Sequence, residues 1–438
     1  MPQVFDSLLA EISTVPVAMV IGRVVEVGRG TVQVAGLGRA ASLGDRVRIG
    51  ATRGGEILHL APGLVTVLTD GSADGMRVGE EVRLEGLKDL SPDDSWIGRI
   101  IDPFGQPLDG RPLLRGPVAR PLRAAAPPAA SRRRLGHRMS TGIAVFDTLL
   151  PLVQGQRIGL FAGSGVGKSM LLAKFARGVQ ADVVVIALIG ERGRELREFT
   201  ERVLGAAGMA RSVVVTATSD QSALIRRRCA WAAMAVAEHF RDQGLHVLLL
   251  ADSVTRFAEA HREVALAGGE APSMKGYPPS VAAAIMAWAE RAGPGPEGPA
   301  GEAGGDITAV FSVLVAGSDM EEVIADILRG VLDGHVVLDR KIAERGRYPA
   351  IDLLRSVSRS LPEAASEPEN AMIAQARRLL GAYDRAEMMI QAGLYAKGSD
   401  PMVDAAIKVW AGLDAFLAKD APVDGVDGSF KLLKAALG

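Results

Sequence analysis

The sequence predicts an α/β core with a parallel sheet, preceded by a small β-barrel and followed by a helical C-terminal region. Three textures carry that expectation. From Gly142 to about Ala350 the apolar runs RIGLFA, VVVIALIG, SVVVTATS, HVLLLADS and ITAVFSVLVAG alternate with helical segments, the pattern of a parallel sheet covered on both faces. Between Val17 and Leu87, short β-branched runs are cut by glycine turns at regular spacing, as in an antiparallel barrel. After about Leu361 three amphipathic runs follow one another, EPENAMIAQARRLLGAYDRAEMMIQAGL, DPMVDAAIKVWAGLDAFLAK and FKLLKAAL. The divisions expected are an N-terminal amphipathic segment (1–17), a barrel domain (18–88), a connector (89–140), the α/β domain (141–360) and a helical domain (361–438).

In chain order, Val4, Leu8, Leu9 and Ile12 recur at helical spacing, which gives a short amphipathic helix suited to capping the next domain or to docking on a partner. The barrel region contains no Phe, Trp or Tyr. A barrel that bound single-stranded nucleic acid would offer aromatic stacking platforms, so that role is disfavoured. The connector carries WIGRIIDPFGQPLDG and PLRAAAPPAASRRRLGHRMSTG, whose Pro and Ala content predicts an extended, weakly structured passage. Arg132, Arg133 and Arg134 within it are expected to form a solvated basic cluster. The stretch GPGPEGPAGEAGG, residues 293–305, is a flexible loop by composition.

Overall charge and cysteine use narrow the function classes. The 438 residues hold 50 basic and 51 acidic side chains, so no global charge marks a nucleic-acid or membrane-surface binder. The single cysteine, Cys229, lies in an apolar helical run; it suits a reducing compartment and reads as a small core residue. Met1 to Ser13 lacks a basic region followed by an apolar one, and no apolar run approaches the roughly 20 residues that span a bilayer. A cytoplasmic protein is expected.

The chemistry is concentrated at AGSGVGKS, residues 162–169, between an apolar strand and a helical run. Gly163, Gly165 and Gly167 allow a turn that points backbone N–H groups inward at a phosphate, with Ser164 and Val166 between them. Lys168 stands where it reaches the β and γ phosphates, Ser169 supplies a hydroxyl for Mg²⁺, and Met170 continues into the helix, so the stretch reads as a P-loop. Asp252 ends the run HVLLLADS, where its carboxylate would hold Mg²⁺ beside Ser169; taken alone it would equally be a helix cap. Glu191 and Arg192 end VVVIALIG. A glutamate there suits orienting or deprotonating an attacking water and the arginine suits γ-phosphate charge, although ERGRELREFTER also reads as a charged surface helix. In RYPAIDLLRSVSRS, Tyr348 is suited to stacking on an adenine and Arg359 to neutralising charge at a neighbouring subunit's site, and spacing proves neither.

The ordered set TGIAVFDTLLPLVQGQRIGLFAGSGVGKS, LIGERGREL, LLLADSVTRFAEA, MKGYPPSV, IADILRGVLDGHVVLDRKIAERGRYPAID and SVSRS resembles the hexameric ATPases related to rotary ATP synthase catalytic subunits. Among these it looks most like the flagellum-specific ATPases of type III protein export, over a region from about Val20 to the C-terminal helices. The resemblance implies a β-barrel N-domain, a RecA-like ATPase domain and a helical C-domain in a homohexameric ring, with ATP and Mg²⁺ as cofactors. It assigns Gly163 to Ser169, with Met170, to nucleotide binding, Asp252 to the metal, Glu191 to water activation and Arg192 to the γ-phosphate. It places Tyr348 by the adenine and makes Arg359 the arginine finger for the next subunit. The partners it implies are a regulatory stalk protein at the N-terminal segment, the export gate, and chaperone–substrate complexes at the C-domain. These would hold a cytoplasmic ring at the inner membrane, with no nucleic acid involved. An injectisome ATPase and a rotary synthase catalytic subunit are the alternatives. A non-catalytic subunit is disfavoured because Glu191 is present, and a ring helicase by the aromatic-free barrel. Two departures stand out: the alanine-rich AAAIMAWAERAG after KGYPPSV, and a longer loop at 293–305.

Overall fold

The computed structural model describes residues 12, 18–297, 304–315 and 320–438. The amphipathic segment expected at 1–17 lies, Ile12 apart, outside the described residues. Six strands, β1 (Ile21–Val27), β2 (Thr31–Ala35), β3 (Arg46–Ile49), β4 (Arg53–Ala61), β5 (Leu64–Thr69) and β6 (Glu81–Gly86), close into an antiparallel barrel in the order β1-β2-β5-β4-β3-β6. Its interior is filled by aliphatic side chains alone, Val24, Val32, Val34, Val47, Ile49, Ile57, Val65, Val67 and Val82 among them. Such stiff, branched residues alternate with polar ones along the strands, so the pleat sends one set inward. Gly55 lets β4 close on β5: a Cβ there would stand 2.6 Å from Val67 Cγ1.

The central domain is a nine-stranded sheet in the order β15-β14-β8-β13-β11-β9-β10-β7, with the short β12 (Gly293–Pro294) paired to β13. Its members are β7 (Arg99–Ile101), β8 (Arg157–Ala162), β9 (Val183–Glu191), β10 (Ser212–Thr218), β11 (His246–Asp252), β13 (Asp306–Leu314), β14 (Gly334–Leu338) and β15 (Ile351–Ser358). The strands from β14 to β7 run parallel, while β15 and β12 are antiparallel to their neighbours, so the sheet is mixed at its margins. Helices α1 (Lys168–Gly178), α2 (Ala223–Arg241), α3 (Val254–Ala267) and α4 (Pro279–Glu290) belong to this layer. Successive strand residues feed two separate cores. Ile158, Leu160, Ile186, Leu248 and Leu250 pack on one face, and Phe161, Val185, Ala187, Leu249 and Phe311 on the other. A sheet buried on both faces therefore reads as a continuous apolar run rather than as an alternation. The C-terminal helices α5 (Glu367–Gln391), α6 (Pro401–Phe416) and α7 (Gly425–Leu437) extend the first of these cores, and α5 opens on a capping box of Ser366 and Glu369.

Three local expectations are corrected. The connector is not weakly structured: β7 joins the sheet edge beside β10, and Arg99 binds Asp109 and the carbonyls of Arg111 and Pro112. Its prolines keep helix to the short 3-10 turns Asp94–Trp96 and Ala129–Ser131, and its arginines tie the passage down. The basic cluster is not simply solvated, because Arg132 pairs with Glu290 at 3.2 Å and Arg133 with Asp306. At 293–305 the loop is anchored by β12 on β13, while residues 298–303 lie outside the described residues.

Barrel and core are joined by a charged clamp. Glu56 on β4 accepts from Arg123 at 2.8 Å and from Arg227 on α2 at 2.7 Å, and both guanidiniums lie over the Trp231 ring, 4.5 and 4.9 Å from its centroid. Deeper in the central domain Arg291 binds Glu238 through two hydrogen bonds of 2.8 and 2.6 Å, with both side chains buried. Removing one partner leaves the other charge buried and alone, so Glu238→Ala is expected to destabilise the central domain by about 3–5 kcal/mol. Urea unfolding followed by circular dichroism measures the shift, and an unmoved midpoint contradicts it.

Candidate active site

The carboxyl ends of the parallel strands gather the predicted residues. Strand β8 leads into the turn at Gly163, and α1 begins at Lys168, so the helix N-terminus and its unpaired N–H groups point back at the loop. Gly165 and Gly167 adopt φ of 78° and 87°, left-handed values that glycine takes without strain. Val166 is buried and pins the loop to the core, whereas Ser164, Gly165, Ser169 and Met170 face outward. Gly167 has a second reason to be glycine. A Cβ there would stand 3.0 Å from Cδ1 of Tyr348, whose half-exposed ring packs against the loop.

Lys168 reaches across the sheet. Its Nζ donates to Asp252 Oδ1 at the end of β11 and lies 4.0 Å from Glu191 Oε1 at the end of β9. Asp252 also accepts a 2.7 Å hydrogen bond from Ser312 Oγ on β13. Asp252 does not cap the helix that follows, since Ser253 takes that position and its side chain accepts from the Arg256 N–H. Burial raises the Glu191 pKa to about 7, the Asp252 charge adds to the rise, and Lys168 opposes both. A carboxylate poised near neutrality beside a phosphate cradle is suited to accepting a proton from water.

Two predicted residues stand apart from this group. Arg192 begins the short helix Gly193–Glu198, exposed to solvent, with its guanidinium 3.5 Å from Glu195; among the described residues it makes no bond to Lys168 or Asp252. Arg359 follows β15, where Ser358 pairs with Gly334 at the start of β14, while the P-loop follows Ala162, which pairs with Leu338 at the end of β14. Four residues of strand separate the two levels, about 13 Å. Within one chain Arg359 lies toward the opposite end of the sheet, its Nη2 donating to the Arg329 carbonyl at 3.1 Å.

The sequence reading missed two residues near the centre. Arg256, in the first turn of α3, binds Glu259 at 2.8 Å; that bond raises its pKa against burial, and the charges of Glu191 and Asp252 raise it further. Its signal in VTRFAEA was one arginine in an ordinary amphipathic helix. Ser312 is fully buried, a hydroxyl inside an apolar strand, and that anomaly was visible in ITAVFSVLVAG. Cys229 is buried, and burial pushes its thiol pKa up, which keeps it protonated and inert.

A P-loop at a helix N-terminus, with a lysine and two carboxylates converging from adjacent strand ends, defines a P-loop ATPase. Comparison with known proteins specifies which. Residues 142–358 match the ATP synthase alpha/beta family, nucleotide-binding domain, and residues 365–422 match the T3SS EscN ATPase C-terminal domain. The chain is 44% identical to a flagellum-specific ATP synthase of Caulobacter vibrioides over 98% of each chain, and 42% identical to a type 3 secretion system ATPase of Xanthomonas euvesicatoria over 93% of this chain and 91% of that one. The assembled ATPase EscN of the enteropathogenic E. coli type III secretion system superposes with a TM-score of 0.86 at 35% identity, covering 94% of this chain and all of that one. A second structure of EscN, in complex with its central stalk EscO, gives a TM-score of 0.85 at the same identity, covering 95% of this chain and all of that one. The chain belongs to the ATP synthase alpha/beta family, in its branch of flagellum-specific and type III secretion ATPases.

A Glu191 that acts as the general base would give turnover a pH dependence. A general base must be ionised to accept a proton, so kcat/KM, which reports the free enzyme, is expected to rise as pH rises through about 7 and then level off. Glu191→Gln should abolish turnover at every pH. A flat profile between pH 6 and 8 speaks against the assignment.

Proposed function

We propose that the chain is the ATPase of a flagellar type III protein export apparatus, working as a homohexameric ring with ATP at the subunit interfaces. One observation carries the ring: Lys168, Glu191 and Asp252 meet at one end of the sheet while Arg359 lies toward the other. With Arg359 that far from the phosphates of its own chain, its charge would serve the site of a neighbouring copy. Ser169 and Asp252 offer a hydroxyl and a carboxylate, hard oxygen donors that suit Mg²⁺ with few protein ligands. Bound there, the ion would neutralise phosphate charge. The backbone N–H groups of Gly163 to Ser169 cradle the phosphates, Lys168 moves from Asp252 toward them, and Tyr348 lines the adenine. Glu191 orients the attacking water, while Arg359 of the adjoining copy meets the developing charge. Arg192 is placed on its exposed turn to reach the γ-phosphate once a neighbour closes the site.

The partners follow the same reading. EscN is reported in complex with a central stalk, and a stalk protein contacting this ring, at its N-terminal segment, would regulate it. Chaperone–substrate complexes and the export gate would meet the C-terminal helices, with the ring on the cytoplasmic side of the inner membrane. No helix among the described residues is long and apolar enough to cross a membrane, so attachment would run through these partners. The Xanthomonas relative supports the injectisome as the second reading, and loss of motility on deletion of the gene would favour the flagellar one.

Arg359→Ala is expected to lower turnover by on the order of 10³-fold or more. Mixed with Glu191→Gln chains, it should regain part of the activity, because some interfaces then join an intact Glu191 to an intact Arg359. Two dead variants that stay dead when co-assembled would show that the arginine does not act between copies.

A further inference from the structure

The Asp252 carboxylate is held asymmetrically. Oδ1 accepts from Lys168 Nζ and from Ser312 Oγ, and Oδ2 has no hydrogen-bond partner among the described residues. The sheet order explains why Ser312 reaches it: β13 lies between β8 and β11, and with Ala251 paired to Phe311, the next residue on each strand brings Asp252 level with Ser312. A fully buried hydroxyl is costly unless bonded, and among the described residues the one hydrogen bond of the Ser312 hydroxyl goes to this carboxylate.

We propose that Ser312 is a positioning residue for Asp252, fixing Oδ1 so that Oδ2 stays turned out for a divalent cation. This rests on the reading of Asp252 as a cation ligand. The two donors on Oδ1 are not equivalent. Lys168 has a long, flexible stem and leaves Asp252 when phosphates arrive to claim its charge, whereas Ser312 is anchored in the middle of a buried strand and stays. With the lysine gone, the hydroxyl alone keeps the carboxylate from rotating. Groups behind a metal ligand commonly govern metal affinity in this way.

The test is ADP binding to the purified chain by calorimetry, in Mg²⁺ and in EDTA, with the ratio of the two affinities as the readout. Ser312→Ala should lower that ratio by on the order of tenfold and leave the EDTA affinity unchanged. Ser312→Thr, which keeps the hydroxyl, should preserve the ratio, and Ser312→Val, which has the shape of threonine without the donor, should lower it. The Thr and Val pair decides the matter if the Ala variant melts early. If Ala and Val variants keep the wild-type ratio while Asp252→Asn loses it, or if Thr and Val lose it equally, Ser312 does not position the ligand. If Asp252→Asn itself keeps the ratio, the cation reading of Asp252 falls and the inference falls with it.

Discussion

The ion pair between Lys168 and Asp252 is the constraint on which the site depends. Asp252 ends β11, while Lys168 opens α1 beyond the turn that follows β8, and β13 runs between those two strands. At about 4.8 Å per strand spacing the two strands lie close to 10 Å apart, and the turn after β8 together with the long lysine stem brings the charges into contact. Asp252 and Glu191 end adjacent strands, so their charges face each other in a partly buried place. Burial and mutual repulsion push protonation toward Glu191, and Lys168 limits how far. The same three charges thus hold this corner of the sheet together and set the acidity of Glu191.

The antiparallel strand β15 links the two ends of the sheet. Tyr348 precedes it and packs on the P-loop glycine of its own chain, while Arg359 follows it, toward the other end of the sheet. A parallel strand in this position would have required a crossover to return. An antiparallel one carries the chain from one end of the sheet to the other within the eight residues of Ile351–Ser358. The strand at the sheet margin therefore puts Tyr348 and Arg359 toward opposite ends of the sheet, and that separation is not legible from residue spacing.

Much of the architecture was legible because each region obeys one period. Alternation in the barrel, continuous apolar runs in the central sheet and helical spacing after Leu361 each reflect the face or faces that region buries. Strands β14 and β15 and the short β7 were harder to see. HVVLD and IDLLRSVS are short or carry charge, and β7 lies in a proline-rich passage whose order comes from Arg99 and Asp109 rather than from an apolar face. Arg132 and Arg133 looked like solvated charge because their partners, Glu290 and Asp306, lie more than 150 residues away.

By itself the sequence determined the phosphate loop, the strand-end carboxylates at 191 and 252 and the order of the three folded regions, because each is written in contiguous residues with a local conformational demand. Tertiary structure decided what depends on which strands lie side by side. It placed Lys168 against Asp252, brought Ser312 level with that carboxylate through the register of β13 on β11, laid Tyr348 on Gly167 and carried Arg359 away from the site of its own chain. Strand order is fixed by packing two cores against one sheet, a global choice that residue spacing does not encode.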